Sequence, residues 1–144
     1  MSAPASYCTF MLGPHRCGIE VDTVREVVRD QSITPVPLAP VAVRGLVNLR
    51  GRIVTAIDLR RCLGLEPAAP GPAGTLVVLR ASVGDMSFIV DGIHDVCDVD
   101  PDTFESTPPT VQGTGRELIR GAYQLNDQLL VVLDLARTME AAAA

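Results

Sequence analysis

Apolar and polar residues alternate over several short stretches of this chain, and a period of two residues predicts β-strands. Residues 7–12 and 17–21 flank a Gly-Pro pair, so they are predicted to form a hairpin. Residues 76–79 and 86–90 predict a second hairpin of the same kind. Because turn signals separate many short strands, the pattern indicates an all-β, barrel-like architecture.

A stretch near the middle of the chain recurs near its end, and such a repeat is a strong indication of architecture. Residues 44–59 align without a gap with residues 120–135, and both copies begin with Arg-Gly and end with Asp-Leu. A fainter similarity relates residues 18–27 to residues 88–96. The chain is therefore predicted to contain two versions of one small fold. The predicted halves are residues 1–66 and 75–144, joined by the Pro-, Gly- and Ala-rich segment 67–74.

The two halves are expected to depend on each other. A half of this length is only marginally able to bury a core, whereas 144 residues are typical of one domain. The whole chain, residues 1–144, is therefore predicted to be a single domain. Since there is no Trp and aromatic residues make up only 3% of the chain, aliphatic side chains must fill the interior.

Each copy of the repeat predicts a hairpin followed by a helix. Asp58 and Asp134 each follow an apolar strand and can accept hydrogen bonds from N–H groups of the first helical turn. The hairpin tips differ, because the first copy has Arg50-Gly51 and the second has the ordinary turn residues Asn126-Asp127. A turn does not require the long cation of Arg50. Either a partner uses this side chain or it pairs with a carboxylate on the surface, and the residues alone leave both open.

The segment between the first hairpins is rich in proline. Residues 32–40 contain three prolines, which remove hydrogen-bond donors and favour extended geometry. This segment is predicted to run extended along a surface or a sheet edge. Residues 41–44 are predicted to form a helical turn that Gly45 ends.

Charge and composition exclude several classes of function. The net charge of −5 argues against nucleic acid as a partner, since that binding requires Lys and Arg to displace counterions from phosphate. The chain has no run of about 20 apolar residues and no signal-peptide pattern at its start. We therefore expect a cytoplasmic protein without direct membrane insertion.

The residues that could carry chemistry do not form a recognisable site. The acidic segment 95–102 begins like a calcium loop, but Thr103 and Pro109 occupy the positions that need Gly and Glu. His15 and His94 have no neighbour that would activate a nucleophile. The cysteines have no C-x-x-C spacing and are predicted to be reduced and mostly buried: Cys8, Cys17, Cys62 and Cys97. We expect no catalytic residues, no metal and no cofactor.

The sequence resembles the CheW family of chemotaxis coupling proteins over nearly its whole length. The most specific match is residues 44–51, Arg-Gly-Leu-Val-Asn-Leu-Arg-Gly, followed by an aliphatic strand that ends in Asp58-Leu59. Other matching segments are residues 10–13, 17–27, 33–37, 90–93 and 133–135.

The resemblance implies a fold and a function. The implied fold is two small five-stranded SH3-like β-barrels packed around a shared hydrophobic core, with short helices. The implied function is that of a non-enzymatic adaptor between the cytoplasmic tip of a chemoreceptor and the regulatory domain of a CheA-type histidine kinase, with other CheW-like domains as further partners. The alternative is a metal- or small-molecule-binding sensor module that uses the groove between the barrels.

The resemblance also implies site residues. By this resemblance, Arg50 and its neighbour Leu49 occupy positions that take part in receptor or array coupling. The positions linked to kinase binding are Val24, Glu26, Ile33 and Gly45. Several of these have a purely structural alternative, since Val24, Leu49 and Ile33 can fill a core and Gly45 can serve a turn.

Overall fold

The computed structural model describes residues 5–66, 74–80, 85–106, 114–125 and 128–143. Most of these residues lie in short β-strands, as the alternating pattern predicts. The strands are β1 (Ala5–Leu12), β2 (His15–Glu20), β3 (Val24–Arg29), β4 (Val43–Leu49), β5 (Arg52–Asp58), β6 (Thr75–Leu79), β7 (Met86–Val90), β8 (Gly92–Val99), β9 (Glu105–Ser106), β10 (Ile119–Gln124) and β11 (Leu129–Leu133). The α-helices are α1 (Leu59–Cys62) and α2 (Leu135–Ala143), and short 3-10 turns occupy Val21–Thr23, Pro101–Thr103 and Thr114–Leu118.

The described strands form two sheets, each curved into a small SH3-like barrel. The sheet order in the first, here called the central barrel, is β3-β6-β7-β5-β4. The order in the second, the terminal barrel, is β8-β1-β2-β11-β10-β9. The predicted all-β double barrel is confirmed. The terminal barrel has a sixth strand beyond the expected five, the two-residue β9.

The two barrels do not coincide with the predicted halves 1–66 and 75–144. The hairpin β1–β2 from the first half joins β8–β11 from the second, and the hairpin β6–β7 joins β3–β5. Each half therefore contributes its first hairpin to one barrel and its remaining strands to the other. Residues 67–73 of the predicted joint lie outside the described residues.

The sequence repeat reappears as a structural repeat. The pairing of β4 with β5 shifts register between Val43 and Gly45, and that of β10 with β11 shifts at the aligned position, between Ile119 and Gly121. At the ends of the two hairpins, aspartates cap the helices as predicted: Asp58 Oδ1 accepts the N–H of Arg61 at 3.4 Å, and Asp134 Oδ1 accepts that of Arg137 at 3.1 Å. The second hairpin tip, Asn126-Asp127, lies outside the described residues.

Buried apolar residues form one core between the barrels and one inside each. The largest cluster takes Phe10 and Ile19 from the terminal barrel and Ile57 and Phe88 from the central barrel. The central barrel encloses a smaller cluster around Val47, Val54 and Leu76, and the terminal barrel another around Tyr7, Leu130 and Val132. The shared core is therefore confirmed. It is built from aliphatic residues, two cysteines and only two buried Phe rings, in keeping with the low aromatic content.

The proline-rich segment lies along a sheet edge, as predicted. Thr34 forms an isolated bridge with Leu46 of the edge strand β4, with both N–H to O distances at 2.8 Å. The predicted helical turn at residues 41–44 is wrong. Val43 already belongs to β4, because it pairs with Ile57 and cross-strand hydrogen bonds replace a helical turn there.

Candidate functional site

A surface depression of about 230 Å³ lies at the tip of the β4–β5 hairpin. We call it the tip depression. Its lining combines aliphatic side chains with three arginines and one glutamate: Arg25, Glu26, Leu49, Arg50, Arg52, Val54 and Val78. Three of the six residues proposed from the family resemblance, Glu26, Leu49 and Arg50, therefore meet at one place.

The hairpin turn holds Arg50 out of the barrel. Arg50 and Gly51 have φ angles of 52° and 86°, which is the pair of positive values that a tight two-residue hairpin turn adopts. The N–H of Gly51 donates to Asn48 Oδ1 at 2.9 Å and fixes the turn. Asn or Gly would adopt this backbone conformation at least as easily as Arg. The backbone therefore does not explain why residue 50 is an arginine, and its side chain must.

Arg50 forms an ion pair with Glu26 of β3. Its Nη2 lies 2.6 Å from Oε1 and 2.7 Å from Oε2 of Glu26, and Arg25 Nε lies 3.8 Å from the same carboxylate. The side chain of Arg50 is 75% exposed, whereas that of Glu26 is only 25% exposed. Arg50 thus pairs with a surface carboxylate, which was one of the two alternatives, yet most of its side chain still faces solvent. The pair joins edge strand β3 to the hairpin tip across the opening of the central barrel.

The other proposed residues lie deeper. Leu49 is buried, packs in the core of the central barrel and lines the floor of the tip depression. Val24 packs against the core between the barrels, and Ile33 packs against the core of the central barrel. Their aliphatic side chains are accounted for by packing.

Gly45 occupies a place where no side chain fits. Its φ is +155°, and a Cβ would lie 2.2 Å from the carbonyl oxygen of Thr34. The aligned Gly121 shows the same constraint, since a Cβ there would lie 2.4 Å from the carbonyl oxygen of Glu105. Both copies of the repeat therefore need glycine at the bulge. At Gly45 the reason is the close approach of the edge segment that crosses β4.

Four members of the tip depression were not predicted from the sequence: Arg25, Arg52, Val54 and Val78. Arg25 precedes Glu26 and Arg52 follows Arg50-Gly51 in the sequence, so their proximity to predicted site residues could have identified them. Arg52 donates through Nε to Asp85 Oδ1 at 2.9 Å. Val78 reaches the site because β6 pairs with β3, which places Val78 opposite Glu26. No local sequence pattern predicts that pairing.

The cysteines behave as buried apolar residues. Burial raises the pKa of Cys17 to about 12, and burial followed by the nearby charge of Asp58 raises the pKa of Cys62 to about 11. Burial also raises the pKa of Cys8. These thiols are protonated at neutral pH and are poor nucleophiles or metal ligands. Cys97 is partly exposed.

The acidic segment 95–102 does not form a metal cage. Asp98 accepts a hydrogen bond from the Ser6 hydroxyl, and Asp100 Oδ1 accepts the N–H of Asp102 at 3.0 Å to cap a 3-10 turn. Among the described residues, no group of three His, Cys, Asp or Glu side chains suits a metal ion. Within the same residues, no helix is long and apolar enough to cross a bilayer.

The fold and the site together define a class: an all-β double barrel with a cationic hairpin tip above an aliphatic floor. Comparison with known families makes the assignment specific, because the CheW-like domain profile matches residues 6–143. The chain belongs to the CheW-like domain family.

Individual relatives agree with the family match. The chain is 33% identical over 131 residues to the chemotaxis protein CheW of Treponema pallidum, covering 88% of this chain and 77% of that protein. It is 28% identical over 125 residues to CheW of Bacillus subtilis, covering 87% and 80%. The crystal structure of the scaffolding protein CheW from Thermoanaerobacter tengcongensis is similar, with a TM-score of 0.80, 27% identity, and coverage of 92% of this chain and 90% of that one.

Proposed function

We propose that this chain is a non-enzymatic adaptor that couples chemoreceptors to a CheA-type histidine kinase, and that it acts in the cytoplasm at receptor arrays. The match to the CheW-like family over residues 6–143 supports this, as do relatives named as chemotaxis and scaffolding proteins. An adaptor must present binding surfaces rather than assemble a reacting group, and the chemistry of the tip depression suits that task.

The exposed guanidinium of Arg50 is the observation that carries the proposal. The Arg50 side chain is 75% exposed and lies above a floor formed by Leu49, Val54 and Val78. A cation beside an aliphatic floor suits an amphipathic helix that offers apolar side chains and an acidic residue. The cytoplasmic tip of a chemoreceptor is a helical coiled coil, so we assign Arg50 and Leu49 to receptor or array coupling.

The regulatory domain of the kinase is the second proposed partner. Val24, Glu26, Ile33 and Gly45 all lie in the central barrel or on the segment along its edge. Glu26 is the one among them with a surface-accessible charge, and it lies on the edge strand β3. Edge strands and aliphatic barrel faces are suited to packing against a homologous barrel. We therefore assign kinase binding to this side of the molecule, with Glu26 in contact and the other three residues supporting the barrel that presents it.

A binding experiment with each partner separately tests the proposal. The wild-type chain is expected to retain the kinase regulatory domain and, independently, a helical fragment of the receptor tip. Arg50→Ala is expected to weaken receptor binding at least about tenfold, because it removes a charge-assisted contact. Arg137→Ala removes an arginine of similar exposure on α2, so it serves as the matched control and should bind normally. Absence of binding to both partners at tens of micromolar would refute the adaptor function.

A further inference from the structure

Two guanidinium groups share one carboxylate in the tip depression. Arg50 Nη2 lies 2.7 Å from Glu26 Oε2, and Arg25 Nε lies 3.8 Å from the same oxygen. The two nitrogens are therefore separated by no more than the sum of these two distances. One carboxylate cannot neutralise two cations, so this cluster keeps an excess positive charge.

The excess charge is located at Arg25. Its contact with Glu26 is the longer of the two, its side chain is 47% exposed, and no other carboxylate of the described residues lies within ion-pair distance of it. The third arginine of the depression, Arg52, is already compensated, because its Nε donates to Asp85 Oδ1 at 2.9 Å. The depression is thus cationic, although the whole chain has a net charge of −5.

A β-bulge directs Arg25 into the depression. The pairing of β3 with β6 shifts register between Val24 and Glu26, so Arg25 is an extra residue of β3. Consecutive side chains of a regular strand point to opposite faces of the sheet, whereas a bulge changes the direction of a side chain. As a result, Arg25 and Glu26 both line the depression.

The fold requires the bulge but not the arginine. In the terminal barrel, β8 has an extra residue at the corresponding place in its pairing with β1. That bulge carries His94 and Asp95, and Asn126 aligns with Arg50 in the repeat. At these positions only the central barrel has two arginines, so the geometry of the bulge does not explain Arg25.

We propose that Arg25 is a specificity-determining residue, and that the tip depression selects an amphipathic helix with two acidic residues three or four positions apart. Such residues are neighbours on a helix, with Cβ atoms about 5–6 Å apart, which fits the upper bound on the separation of the two cations. One carboxylate pairs with Arg50 and the other with Arg25. Apolar side chains of the same helix face pack against Leu49, Val54 and Val78. The inference rests on the proposed receptor coupling and defines the charge pattern of that partner.

Glu26 is the reason that a single acidic residue binds less tightly than a pair. A carboxylate that approaches Arg50 also approaches Glu26, and the two negative charges repel each other. Arg25 offsets this repulsion and attracts the second carboxylate. Without Arg25, the pair of Arg50 and Glu26 is neutral, and a doubly acidic helix has no advantage over a singly acidic one. All of these side chains are partly exposed, so the preference should weaken as salt is added.

A double-mutant cycle with designed peptides tests the proposal. The probes are helical peptides, cross-linked on the face away from the protein, with a leucine stripe and two glutamates four positions apart. In two companion peptides, one or the other glutamate is replaced by glutamine. By fluorescence anisotropy at low ionic strength, the wild-type chain should bind the doubly acidic peptide about three- to fivefold more tightly than the better companion. Arg25→Gln should abolish this preference.

A matched control is available on the same strand. Arg29→Gln removes the same charge from another exposed position of β3, outside the depression, and should keep the wild-type preference. Circular dichroism of both variants should match that of the wild type. Equal affinity of the wild type for the doubly acidic peptide and the better companion would overturn the proposal. A preference that survives Arg25→Gln, or no peptide binding at millimolar concentration, would also overturn it.

The peptide experiment and the test of the adaptor function fail independently. The peptides contain no receptor or kinase sequence, so a failure of the charge preference leaves the binding of those two partners to be judged by its own measurement. A chain that shows the peptide preference but binds neither receptor nor kinase would refute only the adaptor function.

Discussion

At the scale of single residues, backbone geometry separates two positions that the family resemblance links to partner binding, Gly45 to the kinase and Arg50 to the receptor or array. Gly45 is required where Thr34 crosses β4, and the equivalent Gly121 repeats the requirement. Arg50 has no such reason, since its turn would accept smaller residues. A loss of function on changing Gly45 would therefore report on the fold, whereas one on changing Arg50 would report on contact.

We expect Gly45→Ala to destabilise the protein by about 2–4 kcal/mol, because the new Cβ cannot be placed without moving the Thr34 carbonyl. Urea unfolding monitored by circular dichroism measures this. Gly92→Ala is the matched control, since nothing lies within 4 Å of its Cβ position, and it should change stability by less than about 0.5 kcal/mol. Equal stability of the two variants would show that the bulge tolerates a side chain.

At the scale of elements, a cluster of hydrogen bonds around Asp91 links α1, the β1–β2 turn and the connection between β7 and β8. Arg60 on α1 donates through Nε to Asp91 Oδ1 at 3.1 Å, and the N–H of Gly13 in the β1–β2 turn donates to Asp91 Oδ2 at 2.5 Å. Asp91 itself lies between β7 and β8, where the chain passes from one barrel to the other. Burial opposes ionisation of this carboxyl, but the hydrogen bonds from Arg60 and Gly13 outweigh it and lower the pKa of Asp91.

This cluster predicts a pH-dependent contribution to stability. Because the pKa of Asp91 is lower in the folded chain than in the unfolded one, its contribution is complete above about pH 4–5 and disappears as the pH falls through the folded value. Asp91→Asn should lower the free energy of unfolding by about 1–2 kcal/mol at pH 7, and the deficit should shrink in acid. Urea titrations at several pH values test this, with the exposed Asp22→Asn as control. A deficit that stays constant down to pH 2 would contradict it.

Local sequence patterns predicted the secondary-structure elements more accurately than they predicted which distant strands pair with each other. The hairpins around Gly13 and Arg50, the capping by Asp58 and the edge position of Thr34 follow from alternation, turn residues and proline, which act over a few neighbouring residues. The exchange of hairpins between halves and the meeting of Val78 with Glu26 depend on pairings between distant strands. The repeat revealed two related units, but a repeat does not say which hairpin joins which barrel.

At the scale of the whole molecule, the exchange makes each barrel a joint product of both halves. The first half supplies β1–β2 to the terminal barrel, and the second half supplies β6–β7 to the central barrel. The core between the barrels likewise takes Phe10 and Ile57 from the first half and Phe88 and Leu133 from the second. Neither half can complete a sheet without the other.

Fragments 1–66 and 75–144 should therefore be unfolded when separate and should assemble into the native fold when mixed. Because the exchange leaves no barrel within one fragment, assembly should restore both sheets in a single cooperative step. Circular dichroism and amide hydrogen exchange of the separate and mixed fragments measure this. A chain cut instead between β8 and β9 gives a short fragment that contains β9–β11. This pair of fragments serves as the comparison for fragments 1–66 and 75–144. A fragment that folds alone, with protected strands, would contradict this account.

At the same scale, we propose that this chain holds other signalling proteins together through the cation at its hairpin tip. Sedimentation of receptor-bearing membranes with a CheA-type kinase, in the presence of the wild-type chain or the Arg50→Glu variant, tests this proposal. Wild-type chain should bring the kinase into the membrane pellet and activate its autophosphorylation. Arg50→Glu should leave the kinase in solution while its circular dichroism spectrum is unchanged, since the lost pair with Glu26 is a surface contact of at most about 1 kcal/mol. Equal recruitment and activation by a folded Arg50→Glu variant would contradict the claim.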